Sequence, residues 1–484
     1  MTDSLKRRSL GSVFWALSES SGAAALSLAA FLGMARLLEP AAFGVVAMAG
    51  AVVLTFNLVV SHGFPDALVQ ARTLEDDHVH TAFWSTLAIA VLLAAGTAAG
   101  ADAVSRLTAE PAVADILRWL ALILPLNAMG CVHAAMLRRD LRFREVAKAT
   151  LSGRAAGAVV GLSMAASGYG AWSLVGQQLA GTIATNAVLI LSYRWAPRLR
   201  FSISRFRSLA GFGMHVSASQ LVSGISEQAV NLMVGTLFGS TVLGYFNIAW
   251  RTVQLLRSLI ASALYQVGFS AFSRLQDDGD ALRSSFLRAT ELSCLVGFPL
   301  GIGLFLVAPH FIVSLYGEKW APSIPLLAWL ALHFLPVFFA MFFTACYRAK
   351  GRADWALYFT LADLAITVAA IFALRNQPAV WVAAMWTVKS FAYMPVHVLL
   401  LQRLLGTDFG RMFRPACVPL AAGLAMGAAV LAADRWLFAG MGTTAALCLE
   451  IALGVLVYWG AIRLLSPDLL RFAAATMRTM VSAR

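Results

Sequence analysis

Long apolar runs, each about 20 residues and separated by short polar or glycine- and proline-containing connectors, fill almost the whole chain. About fourteen of them are long enough to be bilayer-crossing helices. Their cores lie near 12–34, 42–61, 82–100, 116–136, 150–167, 170–192, 210–235, 242–270, 289–312, 323–347, 355–374, 379–401, 415–433 and 443–463. Apolar positions run continuously instead of alternating, which fits helices and not the strands of a membrane barrel. In hydrocarbon every backbone polar group must find its partner within the protein, and a helix does this by itself. The pattern predicts an all-α, polytopic helical bundle.

The pattern also repeats. The connector LLEPAAFGVVAMA at 37–49 resembles LFGSTVLGYFNIA at 237–249, with Leu37, Gly44 and Ala49 in register with Leu237, Gly244 and Ala249. LEDD at 74–77 resembles LQDD at 275–278, and Arg138 and Arg142, past the fourth run, match Arg348 and Arg352, past the tenth. The marks come in the same order at a nearly constant offset. Runs 1–6 and 7–12 are therefore expected to be two copies of a six-helix unit, with runs 13 and 14 appended. The expected divisions are 1–200, 201–405 and 406–484. An even number of crossings leaves the copies in like orientation, related by a pseudo-two-fold axis along the membrane normal. Transporters use this arrangement with the substrate site at the repeat interface. A plainer reading is that glycine-punctuated hairpins look alike in any helical membrane protein.

Composition agrees with a membrane chain: 60% of the 484 residues are hydrophobic and 13% charged, against roughly 25% charged in soluble domains. The net charge of +13 would suggest a nucleic-acid partner for a soluble protein; here it belongs to loops, and no nucleic acid is expected. With the N-terminus inside, cytoplasmic loops collect Arg138, Arg139, Arg142, Arg144 and Lys148; Arg194, Arg198, Arg200, Arg205 and Arg207; Arg348, Lys350 and Arg352; and Arg403, Arg411 and Arg414. The opposite loops hold Arg36, Arg106, Lys319, Arg375 and Arg435. This asymmetry predicts two cytoplasmic termini. Lys6, Arg7 and Arg8 precede the first run without a clean small-residue cleavage site after it, so the run reads as a retained helix. The five cysteines lie in or beside apolar runs without ligand spacing and read as packing residues. The histidines, His310 among them, stand at run ends or alone on apolar faces, and no metal or other cofactor is expected.

A charged side chain at mid-bilayer costs roughly 2.5–3.5 kcal/mol on insertion scales, so each one in a run needs a reason. Run 7 places Gln220, Glu227 and Asn231 on one helical face, with Gly224 beside them. Run 8 does the same with Asn247, Arg251, Gln254, Ser258, Ser262 and Tyr265, and Arg257 lies toward the flank of that stripe. Glu19, Asn57, Arg154 and Lys389 stand in runs 1, 2, 5 and 12. The two stripes read either as the wall of a hydrated cavity or as interhelical glue, with Glu227 paired to Arg251 and the amides bonded between helices.

Several segments occur in one order across most of residues 10–290. They are Trp15 and Glu19, ARLLEPAAFG at 35–44, HGFPDALVQ at 62–70, Phe83 and Trp84, LRRDLRF at 137–143, GYGAWSLVGQQ at 168–178, and LGYFNIAWR at 243–251. Together they resemble the polysaccharide flippases of the multidrug/oligosaccharidyl-lipid/polysaccharide (MOP) exporter superfamily, close to the group that exports exopolysaccharide or lipopolysaccharide units. The chain departs from that family at Ser20, where a basic residue is usual, and at Val230, where an acid is usual; Glu227 lies one turn earlier as a stand-in.

The resemblance implies the MOP fold and a multi-pass protein of the bacterial inner membrane. It also implies a flippase, not an enzyme, that moves an undecaprenyl-diphosphate-linked oligosaccharide repeat unit between leaflets by alternating access. On this reading Arg251 and Arg257 attract the diphosphate, while Asn57, Gln220, Asn231, Asn247 and Gln254 bond sugar hydroxyls. Membrane lipids, a proton or sodium ion, and the polymerase and glycosyltransferases of the same pathway are the further partners expected. The alternatives are a small-molecule exporter of the same superfamily, with Glu19 or Glu227 as coupling carboxylate, a peptidoglycan-precursor flippase, and a membrane-embedded polymerase or glycosyltransferase. The 168–178 segment favours the exopolysaccharide group over the second. The loops near 62–81 and 271–288 are short and lack a catalytic grouping, which disfavours the last.

Overall fold

The structure, a computed structural model, describes residues 22, 24–71, 73–274, 279–438 and 440–472. Among these residues the regular structure is helical throughout. Nine of the described helices are long and apolar enough to cross a membrane. The predicted cores 150–167, 210–235, 242–270 and 355–374 also fall on helices, several of which carry charged or polar stripes that dilute their apolar character, and of the first core only residues 22 and 24–34 are described, as helix.

Packing divides the chain between Gly244 and Tyr245 into two compact units. The first contains α1 (Ala24–Leu37), α2 (Pro40–Gln70), α3 (Asp76–Ala99), α4 (Ala101–Thr108), α5 (Ala112–Ala121), α6 (Ile123–Arg139), α7 (Phe143–Ala166), α8 (Trp172–Ser192), α9 (Ile203–Phe238) and the first turn of α10 (Ser240–Arg274). The sequence repeat suggests a division near residue 200, whereas the packing boundary falls after α9 because α9 lies along α2. Glycines permit that approach: a methyl on Gly224 or Gly235 would fall 2.2 Å from Leu58 Cδ1 or 2.4 Å from Met48 Sδ.

α7 and α8 form a hairpin of the small-residue kind. Gly153, Gly157 and Gly161 recur every fourth position on the buried face of α7, where they meet Thr185, Gln177 and Gly181 of α8. In lipid, where oil-like tails remove the hydrophobic drive between helices, such close backbone packing supplies the attraction.

One end of this unit is tied by polar contacts. Arg139 Nη1 donates to the carbonyls of Leu68 and Ala71, each at 2.7 Å, so a cation satisfies the C-terminal carbonyls of α2. The linker between α8 and α9 docks here too. Trp84 Nε1 donates to Arg198 O at 2.8 Å, Arg198 N donates to His80 Nδ1 at 3.1 Å, and Ser202 N donates to Thr81 Oγ1 at 3.2 Å. Arg205 pairs with Glu75 at 2.6 Å. The acidic start of α3 and the basic linker thus neutralise each other.

At the opposite end of α2 the two recurring connectors meet. A Cβ on Gly44 would fall 1.7 Å from Ser240 O, and a Cβ on Gly244 would fall 2.0 Å from Pro40 O. Positions 40 and 44 of one connector therefore face 244 and 240 of the other. Residue i touches j as j's counterpart touches i's, the reciprocity of a local two-fold contact.

The second unit contains the rest of α10, α11 (Gly279–Tyr316), a 3₁₀ segment (Glu318–Ser323), α12 (Ile324–Leu332), α13 (Phe334–Phe339), α14 (Phe343–Ala349), α15 (Ala353–Ala373), α16 (Val380–Leu405), α17 (Phe409–Trp436) and α18 (Thr443–Leu465). Its main core is aromatic, with Phe286, Phe298, Phe339, Phe342, Phe343 and Tyr347 packed on Val398, Leu401 and Met412.

Pro299 inside α11 cannot donate to the Leu295 carbonyl one turn back. The Tyr458 hydroxyl of α18 donates to that oxygen instead, at 2.8 Å, and Tyr458 is 3% exposed. Tyr458→Phe is therefore expected to leave a buried carbonyl without a partner and cost about 1–2 kcal/mol. A lower melting temperature in detergent checks this, and an unchanged one would mean that another donor reaches Leu295.

Candidate functional site

α10 has one buried and one open face. Phe246, Ala249, Thr252 and Val253 are buried, with Phe246 and Trp250 against Trp386 at ring-centroid distances of 6.0 and 5.3 Å. Thr252 Oγ1 is 2.9 Å from the buried Tyr316 hydroxyl. This anchoring turns the polar positions the other way. Arg251, Gln254, Leu255, Arg257 and Ser258 line a cavity of about 430 Å³, within the range of about 300–1,000 Å³ usual for small-ligand pockets. Two guanidiniums and an amide on one wall form a cationic surface suited to phosphate oxygens and sugar hydroxyls, and the Ser258 hydroxyl, which donates to the Leu255 carbonyl at 2.8 Å, adds an acceptor. Arg257, on the flank of the stripe in sequence, shares this wall.

The remaining expected residues are dispersed. Asn231 Nδ2 donates to Gln228 Oε1 at 3.0 Å on α9, and Asn247 is partly buried on α10. Glu19 lies outside the described residues, and of Gln220 and Glu227 only the helical backbone is described. Asn57 belongs to a relay in the first unit: Asn127 Nδ2 donates to Asn57 Oδ1 at 2.8 Å, and Asn186 Nδ2 donates to Asn127 Oδ1 at 3.2 Å. These amides join α2, α6 and α8, as polar side chains commonly do between helices in lipid. Asn127 and Asn186 escape the sequence reading because each is one amide in an apolar run; their only signal is that isolation.

Lys389 is 7% exposed at its side chain and pairs with Asp363 of α15 at 2.7 Å. Its ammonium also donates to Thr367 Oγ1 and lies 5.0 Å from the centre of the Trp386 ring. The same tryptophan packs on Trp250 of α10, so the buried charge and the arginine-bearing helix share a neighbour. The partner Asp363 is the residue that sequence reasoning misses.

Residues 33–325 match the family described as polysaccharide biosynthesis protein. The chain is similar to the succinoglycan biosynthesis transport protein ExoT of Rhizobium meliloti (strain 1021), 29% identical over 320 residues, 66% of this chain and 65% of that protein. The match thus spans a little under two thirds of that relative's length. It is also similar to the teichuronic acid biosynthesis protein TuaB of Bacillus subtilis (strain 168), 24% identical over 420 residues, 83% of this chain and 84% of that one. The fold superposes on the lipid II flippase MurJ in an inward closed conformation with a TM-score of 0.76 and 12% identity, over 95% of this chain and 100% of that one. At that identity the likeness is one of fold.

Proposed function

The chain belongs to the polysaccharide biosynthesis protein family, and from that premise we propose that it is a flippase for a polyprenyl-diphosphate-linked oligosaccharide in the bacterial inner membrane. The observation that carries this reading is the arginine-lined cavity on α10, formed by Arg251, Gln254, Arg257 and Ser258. Sugars and diphosphate cannot enter hydrocarbon unshielded, because each unpaired polar group costs several kcal/mol there. A wet, donor-rich wall lowers that cost while the polyprenyl tail stays in lipid. Arg251 and Arg257 hold the diphosphate; Gln254 and Ser258, with Asn247 earlier on the same helix, bond hydroxyls. The division of labour is electrostatic and non-covalent, so the protein acts as a transporter and not as an enzyme.

Sidedness follows from the basic loops. The end that carries Arg139, Arg198 and Arg205 faces the cytoplasm, both termini lie there, and the Gly44 and Gly244 connectors face outward. The reciprocal connector contact lies within the first unit and braces the start of α2 against the first turn of α10. The two connectors belong to two like-oriented repeats, 1–200 and 201–405, with 406–484 appended. A negative-inside potential drives an anionic headgroup outward by about 2.3 kcal/mol per charge per 100 mV.

The test is polymer export in cells that carry Arg251→Ala, Arg251→Lys or Arg257→Ala. Loss of a charge-assisted contact to phosphate is expected to lower export about tenfold in each alanine variant. Lysine, which keeps the charge but loses the forked geometry, should give an intermediate value. Normal export with normal protein levels in both alanine variants would make this wall structural.

A further inference from the structure

Where α11 and α17 end and α18 begins, three side chains from distant parts of the second unit converge. His310 Nδ1 and Glu450 Oε1 are 2.9 Å apart, and ligand atoms of His310, Asp434 and Glu450 all lie within 4.8 Å of one another. Sequence alone leaves His310 isolated; the helix packing brings it to two acids. Glu450 is 3% exposed, and its second oxygen, Oε2, is buried without a hydrogen-bond partner.

A buried carboxylate oxygen with nothing to accept from is costly, and a second carboxylate nearby raises that cost. His310 serves only Oε1. The arrangement becomes favourable when a positive species sits among the three groups. An imidazole with two carboxylates is the donor set of a transition-type divalent cation, whereas magnesium and calcium take oxygen ligands. Such ions hold nitrogen and carboxylate oxygen at about 2.0–2.2 Å, so ligand atoms within 4.8 Å of one another lie close enough to share one.

We propose that His310, Asp434 and Glu450 bind a divalent transition-metal cation of the zinc class, with water completing its coordination. The ion clasps the appended helices α17 and α18 to α11. The site is separate from the α10 cavity and does not depend on which substrate is carried.

The experiment uses the full chain, purified in detergent without a histidine tag, stripped with a chelator and titrated with Zn²⁺. Bound metal is read by elemental analysis and stability by thermal unfolding. About one zinc per chain is expected, as for a site with one set of ligands, together with a melting temperature that rises with zinc concentration. Glu450→Gln and Asp434→Asn should each weaken binding at least about tenfold. Asp434 sits at a helix end, so its variant still reports if Glu450→Gln does not fold. Wild-type protein that binds no zinc, with a proton alone neutralising Glu450, would overturn the proposal; so would Asp434→Asn protein that binds it as tightly as wild type.

Discussion

Gly44→Val is expected to cut translocation about a hundredfold. The new side chain would begin 1.7 Å from Ser240 O, a backbone atom that cannot swing aside as the tip of a flexible side chain does. Overpacking costs about 1–3 kcal/mol where neighbours yield, and about 2.7 kcal/mol corresponds to a hundredfold in rate. The two connectors must separate to admit the residue, so the start of α2 is displaced from the first turn of α10. Gly244→Val should act alike through Pro40 O, 2.0 Å from its Cβ. Because both changes strike one contact, the double variant should lose less than the product of the single effects. Gly50, on the same helix with open space around its Cβ, supplies the control: Gly50→Ala should transport normally. Transport measured in vesicles beside a melting curve separates a loss of transport from a loss of fold. A stable Gly44→Val protein with normal transport would show that the cycle does not need this contact.

Asp363→Asn is expected to destabilise the second unit by about 3 kcal/mol, because it leaves the Lys389 ammonium buried without a counter-charge, held by the Thr367 hydroxyl and the Trp386 ring. The figure belongs at the low end for a broken ion pair since Asp363 is 49% exposed at its side chain. Replacing both groups, as in Asp363→Asn with Lys389→Met, should restore most of the loss, since an apolar pair pays no desolvation cost. Unfolding of detergent-solubilised protein checks both variants. A wild-type melting temperature for Asp363→Asn would mean the pair contributes nothing.

The helices and their order were legible because hydropathy acts locally: a run of apolar residues must become a helix in lipid whatever its neighbours. The likeness of the Gly44 and Gly244 connectors was visible in the sequence, and the two glycines lie in one contact where neither leaves room for a Cβ. What stayed hidden was tertiary. Lys389 stands out in its run, but nothing in the chain ties it to Asp363 on another helix. Asn57 stands alone in its run, and nothing in the chain links it to its partner Asn127 or to the further amide Asn186. His310 joins acids more than a hundred positions later, a distance over which sequence spacing says nothing about proximity. Arg257 sits off the ideal stripe, yet shares the cavity wall with Arg251, because a long arginine side chain reaches beyond its own helical face.

The most direct measurement places purified protein in sealed vesicles with a fluorescent polyprenyl-diphosphate oligosaccharide in one leaflet and follows its exposure to a membrane-impermeant glycosidase on the other side. Exposure is expected to rise well above that of empty vesicles and to fall together in Gly44→Val and Arg251→Ala protein. Equal rates with and without the protein, or wild-type rates in both variants, would contradict the proposed function.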